Sequence, residues 1–127
     1  FSSYINTYSI VNNIFSVSSI PELIKWIKGQ GKSFYITNLV HPANQSVTIL
    51  PKRIKNDLFL KYKKLLHEVT LSNEEVRNVI DSLKHLKSAD NFSLAKSFKQ
   101  QNQKLDLLRN ENFTVTYPEF KEWYNNI

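Results

Sequence analysis

A strand, a helix and a second strand follow one another within the first 40 residues, and this order constrains the fold more than any other feature. The stretch from Ser3 to Asn13, SYINTYSIVNN, is rich in β-branched and aromatic residues, which is typical of a strand. The stretch from Lys32 to Val40, KSFYITNLV, has the same character. Because the connections around the intervening helix are short, the two strands are predicted to pair in parallel.

The intervening helix is predicted over residues 20–28 from signals at both of its ends. Ser19 and Glu22 have the spacing of a capping box, and Pro21 falls in the first turn, where its missing N–H is tolerated. Gly29 suits the position just past the helix end. A lone β-α-β unit cannot bury both faces of its strands. We therefore expect either that later helices cover the strands or that further strands extend the sheet.

From residue 51 onwards the apolar residues recur with the period of a helix. The segment His41–Ser46 is predicted as a loop, and residues 47–51, VTILP, as a short extended piece before Pro51 opens a helix. Capping boxes at Ser72–Glu75 and Thr116–Glu119 indicate two later helix starts. The first long helix carries an apolar stripe of Ile54, Leu58, Tyr62, Leu65, Leu66 and Val69.

The predicted fold class lies between α/β and α+β. Residues 1–50 are expected to form a β-α-β segment whose parallel strands belong to an open sheet or to the end of a partial α/β barrel. Residues 51–127 are expected to form a helical C-terminal segment in the same compact unit. Hydrophobic residues make up 41% of the 127-residue chain, which is enough for a core of its own.

The sequence gives no sign of a membrane, metal or nucleophile site. It has no cysteine and no run of the roughly 18–20 apolar residues that a membrane span requires. Its three histidines lack the spacing of metal ligands, and no catalytic residue is assigned. We therefore expect a cytoplasmic protein without a membrane partner. Because the chain begins with Phe1 rather than Met, we also expect a fragment or a processed chain.

Three polar residues stand where parallel sheets commonly bind ligands. Asn12 and Asn38 end the two predicted strands, and His41 lies in the loop after the second. In sheets and barrels of parallel strands, ligands bind at the carboxyl ends of the strands. These residues are therefore candidates for a rim that faces a substrate. An alternative stays open, in which the asparagines form turns and His41 is a loop residue before a proline.

Basic side chains crowd the first long helix of a chain whose formal net charge is +6. Lys52, Arg53, Lys55 and Lys63 are the candidates for contact with a polyanion, because a basic helix face can lie along the phosphates of nucleic acid. The alternative, which we favour, is that they form the solvated side of an amphipathic helix whose other side is core.

Four stretches, in order, carry a resemblance to a known family. They are SIPELIKWI after a strand that ends in Asn, FYITNLVHP, VTILPKRIK and the closing LDLLRNENFTVTYPEFKEW. Together they resemble the C-terminal part of twitch-type (short SPASM-like) radical SAM proteins, a type common in phage and bacteria. The resemblance implies a partial barrel that binds S-adenosylmethionine and a 4Fe–4S cluster held by a Cys-x3-Cys-x2-Cys motif. Because this chain has no cysteine, the cluster would lie in another part of the protein.

The resemblance leads to a first functional hypothesis. The chain would be the C-terminal, non-catalytic segment of a radical SAM-like enzyme, completing the barrel and covering the substrate opening. Its partner would be the N-terminal radical SAM portion or another protein chain, and Asn12, Asn38 and His41 would face the substrate or S-adenosylmethionine. The alternative is a basic α+β module without enzymatic activity, which binds nucleic acid or assembles through an exposed strand edge.

The closing stretch also has a local interpretation. Asp106 and Arg109 are three residues apart on a predicted helix, and they are expected to pair on its surface for about 0.2–0.5 kcal/mol. Phe113 and Phe120 are expected to dock the last helix onto the rest of the chain.

Overall fold

Two strands and a series of helices make up residues 6–127, the part of the chain that the computed structural model describes. The first residues of the predicted strand, Ser3–Ile5, lie outside the described residues. The elements are β1 (Thr7–Asn12), α1 (Ile20–Gly29), β2 (Ser33–Asn38), α2 (Lys52–Glu68), α3 (Asn73–Leu86), α4 (Ala95–Arg109), α5 (Phe113–Thr116) and α6 (Lys121–Asn125). Short 3₁₀ turns cover Ala43–Gln45, Val47–Ile49, Phe92–Leu94 and Pro118–Phe120.

The two strands pair in parallel, as the tight connections predict. Their register runs from Thr7 opposite Ser33 to Asn12 opposite Asn38. Helix α1 is the crossover between them, so the predicted β-α-β unit is confirmed. A mainly helical C-terminal half follows, which confirms the predicted fold class. Over residues 6–127 the sheet consists of these two strands and is open.

A continuous cluster of buried apolar side chains joins the strands to the helices. Ile10 of β1, Ile24 of α1 and Phe34 of β2 belong to it, and none of the three is more than 4% exposed. From the predicted stripe of α2 it takes Ile54, Leu58, Tyr62 and Leu65. Full burial of one such side chain contributes about 1.5–3 kcal/mol. None of the helices in the described residues is long and apolar enough to cross a membrane.

Two side chains of α2 fix this helix to the turn before α1. The hydroxyl of Tyr62, a residue only 2% exposed, donates to the carbonyl oxygen of Val17 at 2.6 Å. Burial raises the pKa of this phenol, so it stays protonated and remains a donor at neutral pH. The ammonium of Lys61 donates to the carbonyl oxygen of Ser18 at 2.5 Å. The β-α-β unit and the helical half are thereby joined by polar contacts as well as by the core.

The predicted capping box at the start of α3 is confirmed. The Ser72 hydroxyl accepts from the Glu75 N–H at 3.2 Å, and the Glu75 carboxylate accepts from the Ser72 N–H at 2.9 Å. Lys28 of α1 donates to both carboxylate oxygens at 3.0 Å. Burial opposes ionisation of Glu75, but the Ser72 N–H and the Lys28 ammonium outweigh it and lower the pKa of the carboxyl. This ion pair joins α1 to α3.

The other two predicted capping boxes are wrong because their side chains have other partners. Ser19 has helical backbone angles, with φ −96° and ψ −11°, whereas a cap residue is normally extended. Its hydroxyl donates to the carbonyl oxygen of Ser16 at 3.0 Å. Glu119 accepts from the hydroxyl of Ser18 at 2.6 Å, and Thr116 is the last residue of α5 rather than a helix cap.

The predicted extended piece at residues 47–51 is wrong, because Val47–Ile49 forms a 3₁₀ turn. Val47, Ile49 and Leu50 are each 0% exposed. An extended chain would point neighbouring side chains such as those of Ile49 and Leu50 to opposite sides. The turn instead lets all three apolar side chains enter the same core.

The expected pair between Asp106 and Arg109 does not form. The Asp106 carboxylate accepts from the backbone N–H of Phe113 at 2.9 Å and from the Asn102 side chain at 3.3 Å. Asn110 ends α4 in the left-handed conformation, with φ 53°, and so turns the chain back toward Asp106. Arg109 has no ion pair within residues 6–127. Asp106 therefore fixes the start of α5.

The C-terminal helices dock through aromatic rings, as expected for Phe113 and Phe120. These residues are 3% and 1% exposed. The Phe113 ring centroid lies 4.5 Å from that of Tyr124 and 5.5 Å from that of Phe98 on α4. Aromatic pairs at such distances add about 0.5–1.5 kcal/mol each beyond the burial of their area. The cluster holds the last 15 residues against α4.

Candidate functional site

The sheet has one face covered by helices and one face open to solvent. Side chains alternate between the two faces along each strand. The covered face carries Tyr8, Ile10, Asn12, Phe34, Ile36 and Asn38. The open face carries Thr7, Ser9, Val11, Ser33, Tyr35 and Thr37. Val11 is 48% exposed and Tyr35 is 49% exposed. Because parallel strands normally have both faces covered, this open face is an unusual surface.

The bonds at either end of the ladder show which backbone groups join the two strands. The N–H of Ser33 donates to the carbonyl oxygen of Asn6 at 3.0 Å, and the N–H of Leu39 donates to that of Asn12 at 2.9 Å. Successive peptide groups of a strand point to opposite sides within the plane of the sheet. The even-numbered residues of β1 therefore direct their backbone groups toward β2, and the odd-numbered residues direct theirs outward.

The outer edge of β1 presents backbone groups without partners. It carries the N–H groups of Thr7, Ser9 and Val11, for which no acceptor is found within residues 6–127. The carbonyl oxygen of Val11 accepts from the Ser16 hydroxyl at 2.6 Å, which ends the free edge on that side. A row of free donors and acceptors of this kind is a template for another strand.

The outer edge of β2 is covered by α3. The side-chain oxygen of Asn78 accepts from the Ile36 N–H at 3.1 Å, and the Asn78 amide group donates to the carbonyl oxygen of Glu74 at 2.9 Å. An edge strand that bonds to a covering helix is protected from further pairing. The sheet can therefore be extended beside β1 and not beside β2.

Asn12 and Asn38 meet at the carboxyl ends of the strands. The Asn12 amide group donates to the side-chain oxygen of Asn38 at 2.9 Å. Asn12 is 1% exposed, and no partner for its own side-chain oxygen is found in the described residues. Both side chains lie on the covered face. His41 is exposed, and no hydrogen bond within residues 6–127 joins it to the pair.

A polar network beside these strand ends gave no signal in the sequence. The Ser46 hydroxyl lies 3.0 Å from that of Thr48 and 3.5 Å from Nε2 of His85. The Asn91 amide group donates to the Thr48 hydroxyl at 2.9 Å. Burial lowers the pKa of His85, although a hydrogen bond with the Leu39 backbone opposes this shift. His85 and Asn91 lie 39 and 43 residues from their partners, so no local pattern could reveal the network.

The donor set of this chain does not fit a 4Fe–4S cluster. Such clusters are held by Cys thiolates, and the sequence has no cysteine. In the part of the chain that the structure describes, no group of three or more His, Asp or Glu side chains could hold a metal ion. No step of cluster chemistry is therefore assigned to these residues.

Lys55, one of the basic residues expected on the helix surface, lies inside the protein. It is 2% exposed, and its ammonium donates to the carbonyl oxygen of Ala89 at 2.8 Å and to the Asp90 carboxylate at 3.2 Å. It also lies 5.0 Å from the ring centroid of Phe92. Lysine is rarely buried unless it is paired, which is why the sequence pattern placed it outside. Its charge is not available to a polyanion.

The other three basic candidates lie at the surface. Arg53 pairs with the Glu122 carboxylate of α6 at 3.2 Å, and both side chains are about 70% exposed, so the pair adds little stability. Lys52 and Lys63 are exposed and form no ion pair within residues 6–127. They are 11 residues apart, which is about three helical turns, and therefore share one side of α2. Two of the four predicted cations are thus free for an external anion.

Comparison with known proteins leaves the function to be inferred from these surfaces. No protein-family model, no curated protein and no solved structure matches the chain. The surfaces that are most informative about function are the outer edge of β1 and the open face of the sheet beside it. Both expose groups that parallel strands normally cover.

Proposed function

We propose that this chain is a non-catalytic α/β segment that completes a larger parallel sheet, and that this sheet is the partial barrel of a radical SAM-like enzyme. The observation that supports it most directly is the unpaired outer edge of β1. Within residues 6–127 the N–H groups of Thr7, Ser9 and Val11 have no acceptor, and a bond to a further strand would convert a marginal two-stranded sheet into a stable one. That strand would come from another part of the enzyme or from a partner chain.

The position of α3 supports a place at the end of the barrel. Because Asn78 bonds to Ile36, β2 is the last strand on its side, and any further strand must lie beside β1. As the final strands of a partial barrel, β1 and β2 would have one edge covered by α3 and the other joined to the preceding strand. The resemblance to twitch-type radical SAM proteins suggests the kind of barrel.

The alternation of side chains indicates which residues would face a substrate. In a barrel of parallel strands the helices lie outside, and alternate strand residues point inward. Asn12 and Asn38 lie on the helix side, so they would hold the strand ends rather than contact a substrate. Tyr35 and Thr37 of the open face, followed by exposed His41, would take that place.

The helical half would lie outside the barrel, because it shares its core with the covered face. The part best placed to cover the substrate opening is the exposed stretch of residues 40–43, which follows the carboxyl end of β2. S-adenosylmethionine and the cluster would be held by the other part of the enzyme, since this chain lacks the thiolates. The segment would therefore supply part of the barrel wall and part of the cover over its substrate opening.

The experiment that tests this function is the intact mass and N-terminal sequence of the native protein, compared with its gene. We expect a preceding segment with a Cys-x3-Cys-x2-Cys motif, in the same polypeptide or in a chain that copurifies with it, and iron in the protein purified without oxygen. A native protein that starts near Phe1 and copurifies with no iron-containing chain would contradict the radical SAM function.

A further inference from the structure

A groove with a volume of about 560 Å³ lies between α2 and α3. The two helices are joined by four residues and form a helical hairpin. Apolar side chains form the floor of the groove, namely Phe59, Leu66, Ile80 and Leu83. Ile80 belongs to the apolar face of α3, yet it is 38% exposed. The groove is therefore an apolar surface that the rest of the described chain leaves uncovered.

Positive charge surrounds this apolar floor. Lys63, Lys84 and Lys87 line the groove, and no carboxylate lines it. The ammonium of Lys87 lies 4.1 Å from the Phe59 ring centroid, and that of Lys63 lies 5.7 Å from it. Such cation–π contacts hold the charges over the groove. None of the three lysines forms an ion pair within residues 6–127.

We propose that this groove binds an acidic amphipathic helix of a partner protein. A helix laid along a helical hairpin buries side chains at positions i, i+3, i+4 and i+7 against the floor. Asp or Glu residues beside that apolar stripe would then meet Lys63 on α2, Lys84 on α3 and Lys87 just past the end of α3. The charges of the two surfaces are complementary, which favours association and excludes basic partners. The groove uses no residue of the β1 edge, so this binding does not depend on the function proposed above.

A nucleic acid would use this surface less well than an acidic helix. Single-stranded nucleic acid binds on aromatic rings on which successive bases stack, whereas this groove is lined by one aromatic side chain, Phe59. Binding along a phosphate backbone requires a row of free cations, but Arg53 and Lys55 on the same helix are engaged by other groups. An acidic helix would use both the apolar floor and the charge around it.

The test is a binding measurement with designed peptides and the whole protein. The probe is a fluorescent helical peptide of about 18 residues, long enough to span the groove, with Leu on one face and Glu on both flanks. One matched peptide has Lys in place of Glu, a second has the probe's residues in scrambled order, and an oligo-dT strand stands for nucleic acid. By fluorescence anisotropy we expect the acidic helix to bind at least about tenfold more tightly than each of the three controls.

Charge-reversal variants locate the binding. Lys63→Glu combined with Lys87→Glu should weaken binding of the acidic peptide at least about tenfold. Lys96→Glu combined with Lys104→Glu, two exposed positions on α4, makes the same change in net charge and should alter binding less than about twofold. Ile80→Ser tests the floor separately and should also weaken binding, with the thermal unfolding of every variant measured in parallel.

Four results would overturn the assignment. The scrambled peptide could bind as tightly as the probe, or the two double variants could weaken binding equally. Either result would show that binding depends only on net charge. Tighter binding of the oligo-dT strand than of the acidic helix would assign the groove to nucleic acid instead. Absence of any binding of the probe to the correctly folded protein would show that the groove is not a docking site.

Discussion

Charged side chains near the core of this protein bind its own backbone and one another. Lys55 binds the carbonyl oxygen of Ala89, Glu75 bonds to the N–H of Ser72, and Lys28 binds both oxygens of Glu75. A buried polar group that loses its partner costs about 1–3 kcal/mol, so these residues matter for stability rather than for chemistry. His85 differs from them, because its environment favours the uncharged ring.

Protonation of His85 is expected to destabilise the fold. Burial lowers its pKa below the ordinary 6.5, so the unfolded chain binds this proton more readily than the folded protein does. The free energy of unfolding should therefore decrease as the pH falls from about 7.5 to about 5.5. Urea denaturation of the wild type and of His85→Gln across this range measures the effect, and the variant should lose most of the decrease. His67→Gln, at an exposed position, is the matched control and should keep it.

At the scale of the elements, individual side chains reach across to a neighbouring helix, strand or turn and fix its position. Asn78 joins α3 to β2, Tyr62 joins α2 to the turn before α1, and Asp106 joins α4 to α5. α5 has only four residues, so it cannot be stable by itself. It depends on the Asp106 bond and on the burial of Phe113.

Removal of the Asp106 carboxylate should therefore loosen the C-terminal helices. We expect Asp106→Ala to reduce the free energy of unfolding by about 1–2 kcal/mol, because the Phe113 N–H loses a charged acceptor. Arg109→Ala should change it by less than about 0.5 kcal/mol, since Arg109 is exposed and has no ion pair in the described chain. Urea unfolding of both variants decides the matter. If the two variants lose the same free energy of unfolding, the result would support the Asp106–Arg109 ion pair that the sequence suggested.

The capping boxes show how far local patterns determine the elements. All three have the required residue spacing, but only Ser72–Glu75 is followed by a long helix that starts from extended backbone. Ser19 lies in a chain of turns that already bends toward α1, and Glu119 bonds to Ser18, which lies 101 residues away. The periodicity of α2 and the parallel pairing of the strands were predictable, because both depend on local patterns and short connections.

The candidate site was only partly predictable for the same reason. Asn12 and Asn38 come together because a parallel register aligns the strand ends, and this follows from the sequence. The covered face also follows from it, since the apolar Ile10, Phe34 and Ile36 lie on one face and alternate with polar residues such as Ser9 and Thr37 on the other. The burial of Lys55, by contrast, was not predictable from the sequence, because its partner Asp90 lies 35 residues away.

At the scale of the whole molecule, the sheet is covered by helices on one side and open on the other over residues 6–127. The helices and one face of the sheet share a buried core, and α3 covers the edge of β2. The open face and the outer edge of β1 lack such a cover over residues 6–127. We therefore infer that the functional form of this protein has another strand beside β1.

Amide hydrogen exchange of the native protein, followed by NMR or mass spectrometry, tests this inference most directly. Tyr8 and Ile10 bond to β2 and should be protected in any case, so they serve as internal controls. If another strand lies beside β1, Ser9 and Val11 should also exchange at least about 100-fold more slowly than unstructured amides. If Ser9 and Val11 exchange at nearly the unstructured rate while Tyr8 and Ile10 stay protected, the edge is free in the native protein and the account is contradicted.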